Sequence, residues 1–276
     1  MGTHIYVVTH KKTKIADISG YTPILVGADL HPEITDYKVK DNTGDNISVK
    51  NPNYCELTAV YWIWKNCSDD IIGIVHYRRF FGKRWYSGSV NNYISINEIK
   101  NVLSRKRIIL PEPRHYNKSV LRSINLAPNM HDVKEMYEAI KSCSSEYLDD
   151  YIWFLEQNRA PLYNMFIMRW NDFNEYCSWL FEILSYIEER HDIESESAYR
   201  RRLYGFLSER LLSVWVHHNI SENQIRHYPV INTEETELQR IRHKLADLKR
   251  EMEYLVLFRS KEEIENNTIL KEAIEG

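Results

Sequence analysis

Long apolar runs are missing from this 276-residue chain. The longest, IIGIV, YWIW and NMFIM, fall far short of the roughly 20 residues that a membrane-spanning helix needs. The N-terminus enters a strand pattern at once, with neither the basic region nor the apolar segment of an export signal. Cysteines are few: Cys55, Cys67, Cys143 and Cys177 are widely spaced and form no CxxC pair. That argues against a zinc site and fits free thiols in a reducing compartment. An excess of one charge is also lacking. The 36 Lys and Arg against 39 Asp and Glu leave a formal charge of -3, which gives no reason to expect nucleic acid as a partner. A Gly-rich phosphate loop and a cluster of metal-binding carboxylates are absent. What is abundant is aromatic: 19 Tyr and 7 Trp, amphipathic rings that serve a core or stack on sugars and bases. With 43% hydrophobic and 27% charged residues the chain is globular, within reach of one large domain or two small ones.

The stretch Asp69 to Phe81, DDIIGIVHYRRFF, organises the chain. Ile71 to Val75 is too short for a helix and rich in β-branched residues, so it is expected as a buried strand of a parallel sheet. It runs into His76-Tyr77-Arg78-Arg79. Ligands of open α/β sheets bind beyond the carboxyl ends of strands, and two guanidinium forks there suit a phosphate or diphosphate. The same pair equally serves as a strand cap held by nearby carboxylates.

Around this centre, Ile5 to Thr9 and Pro23 to Ala28 read as strands, and residues 29 to 50 carry no clear element. Asn53 and Glu56 form a capping-box pattern after Pro52, which predicts a buried helix to about Lys65. Residues 82 to 94 read as a loop, and Ser95 caps a short helix to about Leu103. A strand is expected at Arg107 to Leu110, two helices within 130 to 157, a strand at Tyr163 to Met168, helices at Asp172 to Glu189 and Arg202 to His217, and a last strand at Ile225 to Ile231. This is an α/β domain. From Glu237 the pattern changes: Leu238, Ile241, Leu245, Leu248, Met252 and Leu255 are spaced 3, 4, 3, 4, 3, a heptad seam. The division expected is a domain at 1–232 and a helical extension at 233–276. The extension either pairs with a copy of itself through 237–258, making a homo-oligomer, or folds back on the domain.

The stretches NISVKNPNYCELTAVYWIWKN, IGIVHYRRFF, ILPEPRHY, YNMFIMRWNDFNEYCSWLFEIL and YGFLSERLLSVWV resemble a family of bacterial capsular and exopolysaccharide biosynthesis proteins. That family was long labelled a domain of unknown function and is now viewed as glycosyltransferases, some linked to galactofuranose transfer. The resemblance covers roughly residues 3 to 232. It implies a GT-A-like fold, a Rossmann-type mixed sheet flanked by helices. It also implies a UDP-sugar donor (galactofuranose or galactose favoured) and a growing capsular, exopolysaccharide or O-antigen glycan as acceptor. A lipid-linked acceptor would bring a cytoplasmic enzyme to the inner face of the membrane as a peripheral protein. GT-A enzymes usually place an Asp-x-Asp metal motif where this chain has His76-Tyr77-Arg78-Arg79. The arginines would then neutralise the departing diphosphate directly, while His76 leaves a divalent ion (Mn or Mg) open.

Within that framework Arg78 and Arg79 are the expected diphosphate ligands, with His76 beside them. Thr9, His10 and Lys11, with Val26, Gly27 and Ala28, mark the strand ends that would hold uracil and ribose. Asn164 and Met165 open the strand that would line the sugar pocket, and Tyr163 or Trp85 would stack on the sugar. Glu209, in GFLSERLL, is the first candidate for the base that deprotonates the acceptor. Against this stands a solvated glutamate opposite the Leu207, Leu211, Val214 stripe, paired with Arg210. Asp132 is the second candidate, or else a helix cap. Glu56 is a capping residue that also points at the site. Arg200-Arg201-Arg202 reads as a solvated face or a contact with anionic lipid. Two rivals remain: a phosphoryl- or nucleotidyl-transfer enzyme using the same arginines, and a non-catalytic nucleotide- or glycan-binding module assembled through the heptad helix.

Overall fold

The computed structural model describes residues 2–125, 130–197, 199–258 and Lys271. The strands are β1 Thr3–Thr9, β2 Tyr21–Leu25, β3 Val39–Lys40, β4 Ile71–His76, β5 Arg79–Phe81, β6 Ile108–Pro111, β7 Arg114–His115, β8 Arg159–Ala160, β9 Phe166–Arg169, β10 Ile225–Tyr228 and β11 Val230–Asn232. The helices are α1 Asn51–Tyr54, α2 Leu57–Asn66, α3 Ile96–Leu103, α4 Val120–Asn125, α5 Met130–Cys143, α6 Leu148–Glu156, α7 Trp170–Glu188, α8 Leu203–Asn219 and α9 Glu237–Glu253.

The main sheet runs β10-β6-β9-β4-β1-β2-β3, with β5 on β4 and β11 on β5. β4, β1, β2 and β3 are parallel, but β9 enters antiparallel between β4 and β6, so the sheet is mixed. Both faces are covered, as the near-continuous apolar runs of the central strands require. Tyr6, Val8, Ile72 and Ile74 point into a core built with α2 and α5 to α8. Ile5, Val7, Ile71 and Val75 point into a second core with α3, β5 and β11. In the middle of β4 sits Gly73, where an added Cβ would stand 2.4 Å from the Ile5 Cδ1 methyl.

Several expectations shift. The helix predicted from Asn53 is broken: α1 ends at Tyr54, Cys55 takes φ 53° and α2 starts at Leu57, so Asn53 and Glu56 form no capping box. Ser95 does cap α3, accepting from the Glu98 N–H. The segment 29–50 carries the short β3 and is pinned by Asp41, fully buried. The strand expected from Tyr163 begins at Phe166, because Tyr163 and Asn164 both adopt positive φ. Pro229, with no N–H to donate, divides the last strand into β10 and β11.

The heptad helix folds back on the domain, but with its polar face inward. Thr236 and Gln239 close a capping box at its start. The Asp247 carboxylate accepts from the His115 N–H and lies 2.9 Å from the ring Nδ1, while Arg250 Nε donates to the His115 carbonyl at 2.7 Å. Lys244 reaches Glu112 at 3.3 Å. The apolar seam is left facing solvent.

Candidate functional site

The carboxyl ends of β1, β2 and β4 open into a cavity of about 570 Å³, the place where open α/β sheets bind ligands and a volume that suits a nucleotide. From β1 come Val8, Thr9 and His10; from β2, Val26; from the turn after β4, His76, Tyr77, Arg78 and Arg79. The α1–α2 break supplies Asn51, Pro52, Cys55 and Glu56, and α8 supplies Gly205, Phe206 and Glu209, with Arg202 just before it.

Tyr163 ties these parts together. Its carbonyl accepts from His76 Nε2 at 2.5 Å, which fixes the imidazole with its proton on Nε2. Its N–H faces the Glu209 carboxylate and helps to hold that group down, and its ring lies under the Arg79 guanidinium at 4.3 Å. Next to it, Asn164 Nδ2 donates to Glu56 Oε1 at 2.5 Å and to the Gly205 carbonyl at 3.1 Å, clamping the start of α2 to α8. Gly205 permits that approach, since a Cβ there would stand 3.1 Å from Cys55 Sγ. The non-glycine residues with positive φ among the described residues, Cys55, Tyr163 and Asn164, all stand at this site. Backbone strain of that kind costs about 1–3 kcal/mol per residue and persists where the surrounding structure enforces it.

The electrostatics divide the cavity. Burial, and then the Glu56 carboxylate, push the Glu209 carboxyl up to about 7, against the opposing pull of the Tyr163 N–H, Arg210 and Arg79. Burial holds the His76 imidazole below its ordinary value, with Arg79 and Arg78 acting in the same direction and Glu56 against it. His10 is likewise held down by burial and Lys11, so it is neutral at pH 7. Burial and Glu56 lift the Cys55 thiol to about 11, although Arg202 Nε approaches its Sγ at 3.4 Å. Cys55 is therefore a thiol rather than a nucleophile at neutral pH. Arg78, Arg79 and Arg202 give the cavity its positive charge. Arg78 also reaches Glu234 at 3.0 Å across an exposed pair.

Of the residues singled out in the sequence, Thr9, His10, Val26, Glu56, His76, Arg78, Arg79, Tyr163 and Glu209 line this cavity. Others stand outside it. Lys11 lies over the Tyr77 ring at 5.0 Å. The N–H groups of Gly27 and Ala28 are taken by the Asp41 carboxylate at 2.8 and 3.0 Å, so they are not offered to a ligand. Met165 is fully buried in the second core, and Asn164 acts from beneath the wall. Asp132, buried in the first turn of α5, faces Arg200 at 3.2 Å rather than the cavity. Glu209 and Arg210, adjacent on a helix and so on different faces, form no ion pair among the described residues. The three consecutive arginines are not one solvated face: Arg200 holds Glu196 and Asp132, Arg201 donates to the Glu196 carbonyl, and Arg202 turns into the cavity. Sequence reasoning missed Arg202, Cys55 and the role of the Tyr163 backbone. The one signal for this geometry was Gly205 inside a helical pattern, which marks close packing.

A second cavity of about 280 Å³ adjoins the first through Arg79 and Tyr163. Trp85, Arg114 and Leu162 line it, and α9 closes it with Arg240, Lys244, Asp247 and Arg250. Among the described residues, no group of three or more His, Cys, Asp or Glu side chains is arranged to hold a metal ion.

A search of the curated proteins found no match. Among solved structures, one described as the WbbM bifunctional glycosyltransferase in its apo form superposes with a TM-score of 0.77 at 24% identity, over 85% of this chain. The chain spans 46% of that structure's own length. The mixed sheet flanked by helices is therefore a GT-A-like fold. The model of the family described as DUF4422, a domain of unknown function, matches residues 4–220, and the chain belongs to that family.

Proposed function

We propose that this chain is a glycosyltransferase that moves a sugar from a nucleotide donor to a hydroxyl of a glycan acceptor. One observation carries the reading: a carboxyl group pushed up to about 7, Glu209, lines the same strand-end cavity as Arg78, Arg79 and Arg202. The donor's diphosphate lies against the arginines. The acceptor hydroxyl meets the sugar from the second cavity, where Trp85 offers an apolar face. Ionised Glu209 takes the acceptor proton while the bond from the anomeric carbon to the diphosphate breaks and the new glycosidic bond forms. The arginines meet the charge that develops on the leaving diphosphate. A base with this proton affinity is matched to neutral pH, so turnover rises as pH passes about 7.

A divalent ion held by protein ligands does not fit the donor set. The chain has His-Tyr-Arg-Arg where the fold's metal motif would stand, and His76 Nε2 is committed to Tyr163. UDP-linked galactofuranose or galactose is the donor proposed, and a capsular, exopolysaccharide or O-antigen glycan the acceptor, on the family resemblance. A lipid-linked acceptor would draw the enzyme to the inner face of the membrane from the cytoplasm; no helix among the described residues is long and apolar enough to cross it.

Calorimetric titration with UDP, with and without manganese, tests the site. The expected result is metal-independent binding that Arg79→Ala and Arg202→Ala each weaken by about 10- to 1000-fold, the range for a lost charge-assisted contact. Unchanged affinity in both variants, or binding that requires manganese, refutes the arginine site.

A further inference from the structure

We infer that α9 is a self-association element: its outward apolar seam packs against the same seam of a second copy of this chain. Leu238, Ile241, Leu245, Leu248, Met252 and Leu255 are between 41% and 68% exposed, although five are Leu or Ile. Isolated exposed leucines are ordinary, but five along α9, continued by Leu255 in the wider turn Tyr254–Phe258 that follows it, form one patch. The domain itself cannot cover them. The opposite face of the helix is already fastened to it through Asp247, Arg250 and Lys244.

The geometry selects a copy over other occupants. The stripe has a strict 3.5-residue period, the narrow seam of a coiled coil rather than the wide apolar face of a helix lying in a lipid interface. The solvent rim of the seam carries Glu237 against Arg242 and Lys249, while Glu251 is turned to His115 at 3.6 Å, so the rim falls short of the cluster of about four to eight basic residues that attracts anionic lipid. In a parallel pair, Glu237 meets the copy's Arg242. Lys244 would meet the copy's Lys249, a repulsion that sequence alone leaves standing. In the structure Lys244 is turned to Glu112 and neutralised there. The seam is also long enough. At roughly 60–120 Å² of apolar area per buried Leu-sized side chain, six of them approach the roughly 800 Å² per partner of a standard interface. A free helix of this length pays for its own nucleation, but α9 is already folded on the domain, so pairing adds contacts without that penalty.

Light scattering coupled to size exclusion on the full chain, at about 1–50 µM, spans the affinities such an interface supports. The expected mass is two chains of 33.0 kDa or more. The double variant Leu245→Glu with Leu248→Glu is expected to be a monomer with unchanged circular dichroism, because both positions are exposed. A native chain that stays monomeric at the highest concentration overturns the inference. If that monomer then sediments with phosphatidylcholine–phosphatidylglycerol vesicles, the seam is a lipid contact instead. An assembly that survives the double glutamate variant also overturns it.

Discussion

If the Glu209 carboxyl is lifted by its surroundings, the folded protein is destabilised by ionising it, and replacing it shows this without any knowledge of the acceptor. Its ordinary value is 4.5 and its value in the folded chain is about 7. Below pH 4.5 the carboxyl is protonated in both folded and unfolded chains, and native Glu209 is fully compatible with the fold. As pH rises, the unfolded chain releases the proton first, so stability is lost progressively until pH passes the folded value. The ceiling, at about 1.36 kcal/mol for each pH unit between the two values, is roughly 3.4 kcal/mol, of which roughly 2.5 falls between pH 5 and pH 8. Glu209 is only half-buried on the cavity wall, and solvent screening there reduces the expected loss to about 1–2 kcal/mol. Glu209→Gln cannot ionise and escapes it. Urea unfolding of both proteins at pH 5, 6, 7 and 8 should therefore show the Gln variant gaining on the native chain by that amount as pH rises. A difference between the two proteins that is flat in pH refutes the account of Glu209. So does one that moves the other way, as for a glutamate held ionised by a cation.

Two further predictions follow from the site and the sheet that carries it. Gly73→Ala places a methyl 2.4 Å from Ile5 Cδ1 and 3.0 Å from Ile167 Cγ1 in the middle of the sheet. Overpacking there should cost about 1–3 kcal/mol in urea unfolding, and an unchanged midpoint would refute the packing. The Cys55 thiol, lifted from 9.0 to about 11, should react with iodoacetamide at pH 8 roughly 100-fold more slowly than a free cysteine, since the thiolate is the reactive form. Peptide mapping by mass spectrometry reads that rate at Cys55, and alkylation as fast as a model thiol would refute the lift.

The parts of the fold that were legible in the sequence are those where local pattern and tertiary environment agree. The run IIGIV could hardly be anything but a buried strand, and the i, i+3, i+4 spacing from Phe173 to Ile187 gave α7 almost to its ends. The direction of β9 was not legible, because a short apolar strand reads the same parallel or antiparallel to its neighbours. The polar stretch 29–50 looked empty because its order comes from one buried carboxylate, Asp41, which no periodicity announces. The strand-end principle brought Thr9, His10, Val26, His76, Arg78 and Arg79 to one cavity. It failed for Gly27 and Ala28, where a competing acceptor within the chain already satisfies the backbone that a ligand would need. The heptad spacing from Leu238 to Leu255 falls on a helix whose apolar stripe is exposed. Sequence offered pairing or folding back as alternatives, whereas the structure shows the helix folded back by its other face.

The places where local reasoning broke down share a cause. The capping box at Asn53 and Glu56 failed, the strand at Tyr163 started late, and a glycine survived inside a helix; all three lie on one wall of the cavity. Each local preference was overruled there. Cys55 and Tyr163 turn through positive φ so that Glu56 leaves its helix and the Tyr163 backbone faces both His76 and Glu209. An unstrained α1–α2 helix would have used Glu56 as an ordinary cap and left Glu209 without the neighbouring charge that raises it. The sequence therefore contradicts its own propensities where the structure gathers two carboxyl groups and three arginines. A chain selected for stability alone would have little reason to keep that arrangement, and so the pattern of failure itself marks the site.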